Sequence, residues 1–123
     1  MVGSDMTIQS KRIYEAVSES DGKRILVDRL WPRGIKKEDA KIDWWPKEIT
    51  PSNELRKWYH EDMENRWDEF QQKYQAELSS ESTALEALRT MSEKETVTLI
   101  SAVKNIDYSH ITVLIEVLQQ RKA

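Results

Sequence analysis

The chain has 123 residues, enough for one hydrophobic core, and its 38% apolar content leans on five Trp and four Tyr for buried bulk. It contains no cysteine, which excludes disulfides, thiolate metal sites and cysteine nucleophiles. A formal net charge of -3 argues against generic nucleic-acid binding while leaving a local basic patch open, and no apolar run has the length of a membrane-spanning helix.

Residues 1–6 read as a polar leader or cloning scar, because Met6 directly precedes the first strand-like residues. The remainder, 7–123, reads as a single compact domain. Without the basic-then-apolar pattern of a secretory signal, the cytoplasm is the expected compartment.

Two β-rich runs come first, at 7–17 and 24–30, separated by a turn signal in Asp21-Gly22 that predicts a hairpin. The apolar stretch Ile25-Leu26-Val27 does not alternate, as expected of a central strand covered on both faces. Pro32 and Gly34 stop it. The segment up to Trp45 alternates in charge at Lys36, Lys37, Glu38, Asp39 and Lys41 and reads as a loop or a short helical turn.

Thr50-Pro51-Ser52 supplies a hydroxyl cap and a proline suited to a first helical turn, and Leu55, Trp58 and Tyr59 share one face of the helix that follows. After a break at 60–62, Met63, Trp67, Phe70, Tyr74 and Leu78 recur at helical spacing. A third helix capped by Ser82 or Thr83 turns Leu85, Leu88 and Met91 inward. The β-branched run 96–103 is the next strand, and Ser109 caps a last helix lined by Ile111, Leu114, Ile115 and Leu118. The expected fold is α/β: a small sheet of about three to four strands with a parallel central pair, packed with about four helices. A crossover would set strands 25–29 and 97–103 parallel, with their C-terminal ends forming one edge where ligands favour binding.

That edge collects the residues with chemistry. Asp28, Arg29, Trp31 and Arg33 leave the end of one strand, and Arg side chains present planar forks to phosphate or carboxylate. The competing reading is an internal salt-bridge network with Trp31 in the core. Lys104 ends the other strand, and Ser109 and His110 fall on a helix N-terminus, which favours anions. The candidate catalytic pair is Asp28 and His110, and the candidate ligand-binding residues are Arg29, Arg33, Arg56, Lys104 and Ser109.

The run RILVDRLWPRG at 24–34 resembles the signature of the YeaO-like branch of the domain of unknown function 488 family. The resemblance continues through Ile49-Thr50-Pro51-Ser52, Leu55-Arg56-Lys57-Trp58, His60, the spacing Trp67, Phe70, Tyr74, Glu77 and Leu78, and then Thr98-Leu99-Ile100, Ala102, Lys104 and His110. It covers most of 11–118 and implies a compact α/β fold with no settled activity. The broader family often has Cys at the positions of Ser101 and Ser109, an acid at Asn105 and Arg at Ile111. A cysteine-dependent chemistry is therefore closed to this chain.

Three functional classes follow. The first is an enzyme or binding domain for a small anionic ligand, held by Arg29 and Arg33 with His110 poised for proton transfer. The second is a nucleic-acid-binding or regulatory module using Arg33, Lys36, Lys37, Lys41 and Trp44, with Trp44-Trp45 as a stacking surface. The third is a protein-interaction domain without catalysis, whose oligomeric state the sequence leaves open. Arg56, Trp58 and His60 each have the placement to reach a pocket, Arg56 foremost. Two histidines some fifty residues apart give no basis for a tightly bound metal, and no cofactor is expected.

Overall fold

The computed structural model describes residues 6–120, so most of the leader at 1–6 lies outside the described residues. Three strands form one sheet: β1 (Ile8–Arg12), β2 (Lys23–Leu26) and β3 (Val97–Ser101), in the order β1-β3-β2. Both pairings are parallel, with Ile8 and Lys23 each opposite Val97 and Ser10 and Ile25 each opposite Leu99. Five helices accompany the sheet: α1 (Lys37–Ala40), α2 (Asn53–Glu61), α3 (Met63–Leu78), α4 (Ser82–Lys94) and α5 (His110–Gln119). The expected parallel pair and helix-rich α/β domain are present, and the short α1 is the helical turn read in the charged segment. No helix among the described residues is long and apolar enough to cross a membrane.

The expected hairpin is absent. β1 and β2 run the same way on opposite sides of β3, so the ten residues between them cross the sheet instead of reversing beside it. Ten residues of chain are ample to return along a five-residue strand. Asp21 fixes this crossover: its carboxylate accepts from Lys11 Nζ and Arg24 Nη1, both at 2.6 Å, and from the Ser18 N–H at 3.0 Å. Its carbonyl accepts from Thr98 Oγ1 at 2.7 Å. Gly22 then turns at φ +62, with its Cα so close to β3 that a Cβ would lie 2.1 Å from the Thr96 carbonyl oxygen. The Asp-Gly pair does mark a turn, but Asp21 bonds to Lys11 of β1, Arg24 of β2 and Thr98 of β3, so the turn is fixed across all three strands and not within a hairpin.

The central strand is β3, all five residues of which are buried, and not the run around Ile25. β2 is nonetheless covered on both faces, as its apolar sequence requires, and its outer edge is closed by a parallel bridge between Ile25 and Trp44. One sheet face carries Ile25, Val97 and Leu99 into the main core with Phe70, Tyr74, Leu88 and the inner face of α5. The other carries Leu26 and Ile100 into a smaller core with Ile13 and Ala40, against which Trp31, Ile35 and Trp45 pack.

Two helix starts follow serine caps, whereas the expected cap at Ser82 or Thr83 does not form, because α4 begins at Ser82 with Glu81 at its N-cap and no side-chain bond. Pro51 precedes the cap of α2 instead of entering its first turn. Ser52 Oγ accepts from the Leu55 N–H, and Ser109 Oγ accepts from the Ile111 N–H. Glu77 of α3 clamps the first of these starts, accepting from the Ser52 N–H and hydroxyl. The stripes hold in their central positions, with Phe70, Tyr74 and Leu78 of α3 and Ile111, Leu114 and Leu118 of α5 fully or almost fully buried, whereas Trp67 and Ile115 are only partly buried and Met63, at the start of α3, is exposed. Because both parallel pairings end at the same side, the segments leaving β2 and β3 emerge together, beside the start of α5.

Candidate functional site

Between those segments and α2 and α3 lies a cavity of about 570 Å³. Asp28 stands at its base, just past β2, where the Val27 N–H still bonds to the Ile100 carbonyl. One carboxylate oxygen of Asp28, Oδ1, accepts from Ser101 Oγ at 2.6 Å, and the other, Oδ2, from the Ala102 N–H at 2.8 Å. Its backbone carbonyl accepts from Trp45 Nε1 at 2.6 Å. The residue is thus tied to β3 and to the smaller core at once.

His110 Nε2 sits 3.2 Å from Asp28 Oδ1, close enough for an ion pair. The nitrogen is nevertheless buried without a hydrogen bond, so the two groups are close without an aligned donation. Burial alone would raise the Asp28 pKa, but the neighbouring His110, the Ser101 hydroxyl and the Ala102 N–H outweigh it and hold the carboxyl below the usual carboxylate range. His110 opens α5, and Ser109 caps it, with its own hydroxyl donating to the Ile106 carbonyl at 2.7 Å.

All seven residues singled out in the sequence line this cavity. They do not stand in equivalent roles. Arg29 spends Nε on the Pro51 carbonyl at 3.0 Å and Nη2 on the Thr50 carbonyl at 3.1 Å, so most of its fork anchors the entry to α2. The Ser109 hydroxyl is spent as a cap. Arg33 and Lys104 are exposed at the mouth. Arg56 reaches in from α2, with Nη2 on Asn53 at 3.3 Å and Nε buried without a partner.

His60, one turn further along α2, also lines the cavity, whereas Trp58 does not. Trp58 lies under the cations of Arg66 and Lys73, at 4.8 and 5.2 Å from its ring centre. Burial, then the charges of Arg56 and His110, lower the His60 pKa below its ordinary value.

Other contributors were not distinguishable in the sequence from core residues. Tyr59 and Phe70 stack at 4.3 Å between ring centres, and the Tyr59 hydroxyl donates to the Tyr108 carbonyl at 2.7 Å. Their helical spacing marked them as core, and they occupy the end of the core stripe that opens into the cavity. Ser101 carried a signal as a departure from the family pattern, but its clamp on Asp28 spans 73 positions of sequence.

The basic and aromatic segment at 33–47 is not a free stacking surface. Trp44 is bridged to Ile25 and packs against the main core, and Trp45 is overlain by Lys47 at 4.1 Å from its ring centre. Trp31 belongs to the smaller core, its indole N–H donating to the Ile35 carbonyl at 2.6 Å.

Comparison with known proteins places these features in a family. Residues 7–123 match the family model DUF488-N3i, described as the inactive DUF488-N3 subclade. The chain is 46% identical over 114 residues to the uncharacterized protein YeaO of Escherichia coli (strain K12), spanning 93% of this chain and 98% of that one. It is 43% identical over 114 residues to uncharacterized proteins of Mycobacterium tuberculosis (strain ATCC 25618 / H37Rv) and Mycobacterium bovis, spanning 93% of this chain and 95% of each. No solved structure matches the chain significantly.

Proposed function

We propose that this chain, which belongs to the inactive DUF488-N3 subclade, is a binding domain that holds a small phosphate- or carboxylate-bearing ligand at the C-terminal edge of its sheet. The observation that carries this reading is the charge arrangement of the cavity. Arg33, Arg56 and Lys104 line it together with the ring nitrogens of His60 and His110, and Asp28 is the sole acid among its described lining residues. That acid is already engaged by the Ser101 hydroxyl and the Ala102 N–H, with His110 Nε2 3.2 Å from it. An incoming anion therefore meets an excess of donors and positive charge in a partly desolvated site, where charge-assisted hydrogen bonds are strongest.

Binding without turnover is the form of this function that the chemistry supports. Asp28 has no proton to give near neutral pH, and both its oxygens already accept hydrogen bonds, which makes it a poor general base. The chain has no cysteine, and the family description is itself that of an inactive subclade. A nucleic-acid module built on 33–44 draws less support, because Trp44 is taken up by the sheet edge and the main core.

The test is a thermal-shift titration with inorganic phosphate, nucleotides and small carboxylates. A ligand of the folded state raises the melting temperature with concentration. The expected result is a ligand-specific rise that Arg33→Ala and His110→Ala both lose. No rise with any anion, or a rise that both variants retain, overturns the reading.

A further inference from the structure

From the distribution of apolar surface around this cavity, we infer that its ligand is an amphipathic anion, a phosphate or carboxylate attached to a flat apolar group such as an aryl ring or a nucleobase. The inference rests on the anion-binding reading and adds the second half of the ligand. Five large hydrophobic side chains are exposed among the described residues, and three of them, Leu30 at 60%, Tyr108 at 54% and Met63 at 36%, line this one cavity. A single exposed leucine needs no explanation, but three apolar side chains from separate segments gathered at one mouth mark a surface built to be covered.

The three come from unrelated parts of the chain: the segment after β2, the turn before α5 and the first residue of α3. The stacked pair Tyr59 and Phe70, almost fully buried, lines the same cavity and adds to its apolar surface. Tyr108 is held in place by its carbonyl bond from Tyr59 and by the edge of Trp67, 5.5 Å from its ring centre. The aromatic wall is therefore preformed. Arg33, Arg56 and Lys104 line the same cavity, so a ligand that carries both an anion and a ring has partners for each part there. A bare inorganic anion would satisfy the cations and leave the apolar wall wet, and a purely apolar ligand would do the reverse. A cavity of about 570 Å³ has room for both parts of a nucleotide-sized molecule.

The experiment is isothermal titration calorimetry of the wild-type chain with inorganic phosphate and with phenyl phosphate, repeated on Leu30→Ser and Tyr108→Ser. Both side chains are exposed, so these substitutions leave the core intact. Phenyl phosphate is expected to bind about tenfold or more tighter than phosphate, from the apolar area its ring buries. Each variant should remove most of that gain while leaving phosphate affinity unchanged. Equal affinities for the two ligands, or a gain that survives in both variants, overturn the inference and leave the anion site standing. If neither ligand binds, the anion-binding reading fails and the inference falls with it.

Discussion

Ser101 donates its hydroxyl to Asp28 Oδ1 at 2.6 Å, joining the end of β3 to the residue that leaves β2 and fixing the base of the cavity. The same hydroxyl accepts from the Val103 N–H at 3.1 Å, so the turn after β3 is shaped by the side chain that clamps the acid. With the Ala102 N–H on Oδ2 and His110 beside Oδ1, both oxygens of the carboxylate are engaged by protein groups. The base of this pocket is held by hydrogen bonds from β3, and the cations that line the pocket are left to act on something else.

Asp28→Asn should destabilise the fold by about 1–3 kcal/mol, because the amide cannot accept from both Ser101 and the Ala102 N–H without presenting an N–H to one of them. The pH dependence has a definite sign. A carboxyl whose folded pKa lies below its unfolded value contributes stability that is fully present above about pH 4 and is lost as pH falls through the lowered folded value. Asp21, lowered against its burial by Lys11, Ser18 and Arg24, adds to the same acid limb. Urea denaturation between pH 2 and 6 should therefore show a shallower acid loss for the variant than for the wild type. Parallel curves would contradict the account.

Arg29 and Arg33 sit four positions apart and should behave differently. Arg29→Ala removes the donors to the Thr50 and Pro51 carbonyls and should cost about 1–3 kcal/mol of stability. Arg33 is exposed, and Arg33→Ala should change stability by less than about 0.5 kcal/mol while weakening anion binding. Chemical denaturation of the two variants checks the first part of each statement. Equal stability loss in both would show that the division of labour is wrong.

Desolvation and the neighbouring Arg56 and His110 hold the His60 pKa below its ordinary value. A bound anion reverses that charge environment and should raise its pKa, and by linkage anion affinity should rise as pH falls through the His60 transition. Sulfate is the suitable probe because it does not itself titrate in this range. Imidazole NMR titrations with and without sulfate should show an upward shift for His60, and an unshifted curve at saturating sulfate would contradict the placement of the anion.

Gly22→Ala tests the crossover that replaces the expected hairpin. A Cβ there would lie 2.1 Å from the Thr96 carbonyl oxygen on a backbone at φ +62, so the substitution should cost more than about 1 kcal/mol. The measurement is the denaturation midpoint. A neutral effect would mean that the 13–22 segment does not press against β3.

Much of this was legible in local sequence. Ser52 and Ser109 cap helices where hydroxyls precede apolar periodicity, and the 25–27 and 97–101 runs lack alternation because both their faces are covered. Because Asp28 and His110 each follow a strand end or open a helix, a parallel pairing was enough to bring them to one edge. The strand order was not legible, since Asp21-Gly22 makes a turn in either topology and only the long-range bonds from Lys11 and Thr98 decide between them. Nor was the commitment of Arg29 to two backbone carbonyls, because an arginine fork suits a carbonyl pair as readily as a phosphate. Tyr59 and Phe70 satisfy a core stripe and a pocket wall with the same spacing, which periodicity cannot separate.

The central claim is that an anion binds between the segments leaving β2 and β3, and amide NMR maps it most directly. Titrating inorganic phosphate into the labelled protein should shift the amides of 28–33 and 102–111, with smaller changes near Arg56 and His60 and none on α4. Shifts scattered over the surface, centred elsewhere, or absent at tens of millimolar phosphate would contradict it.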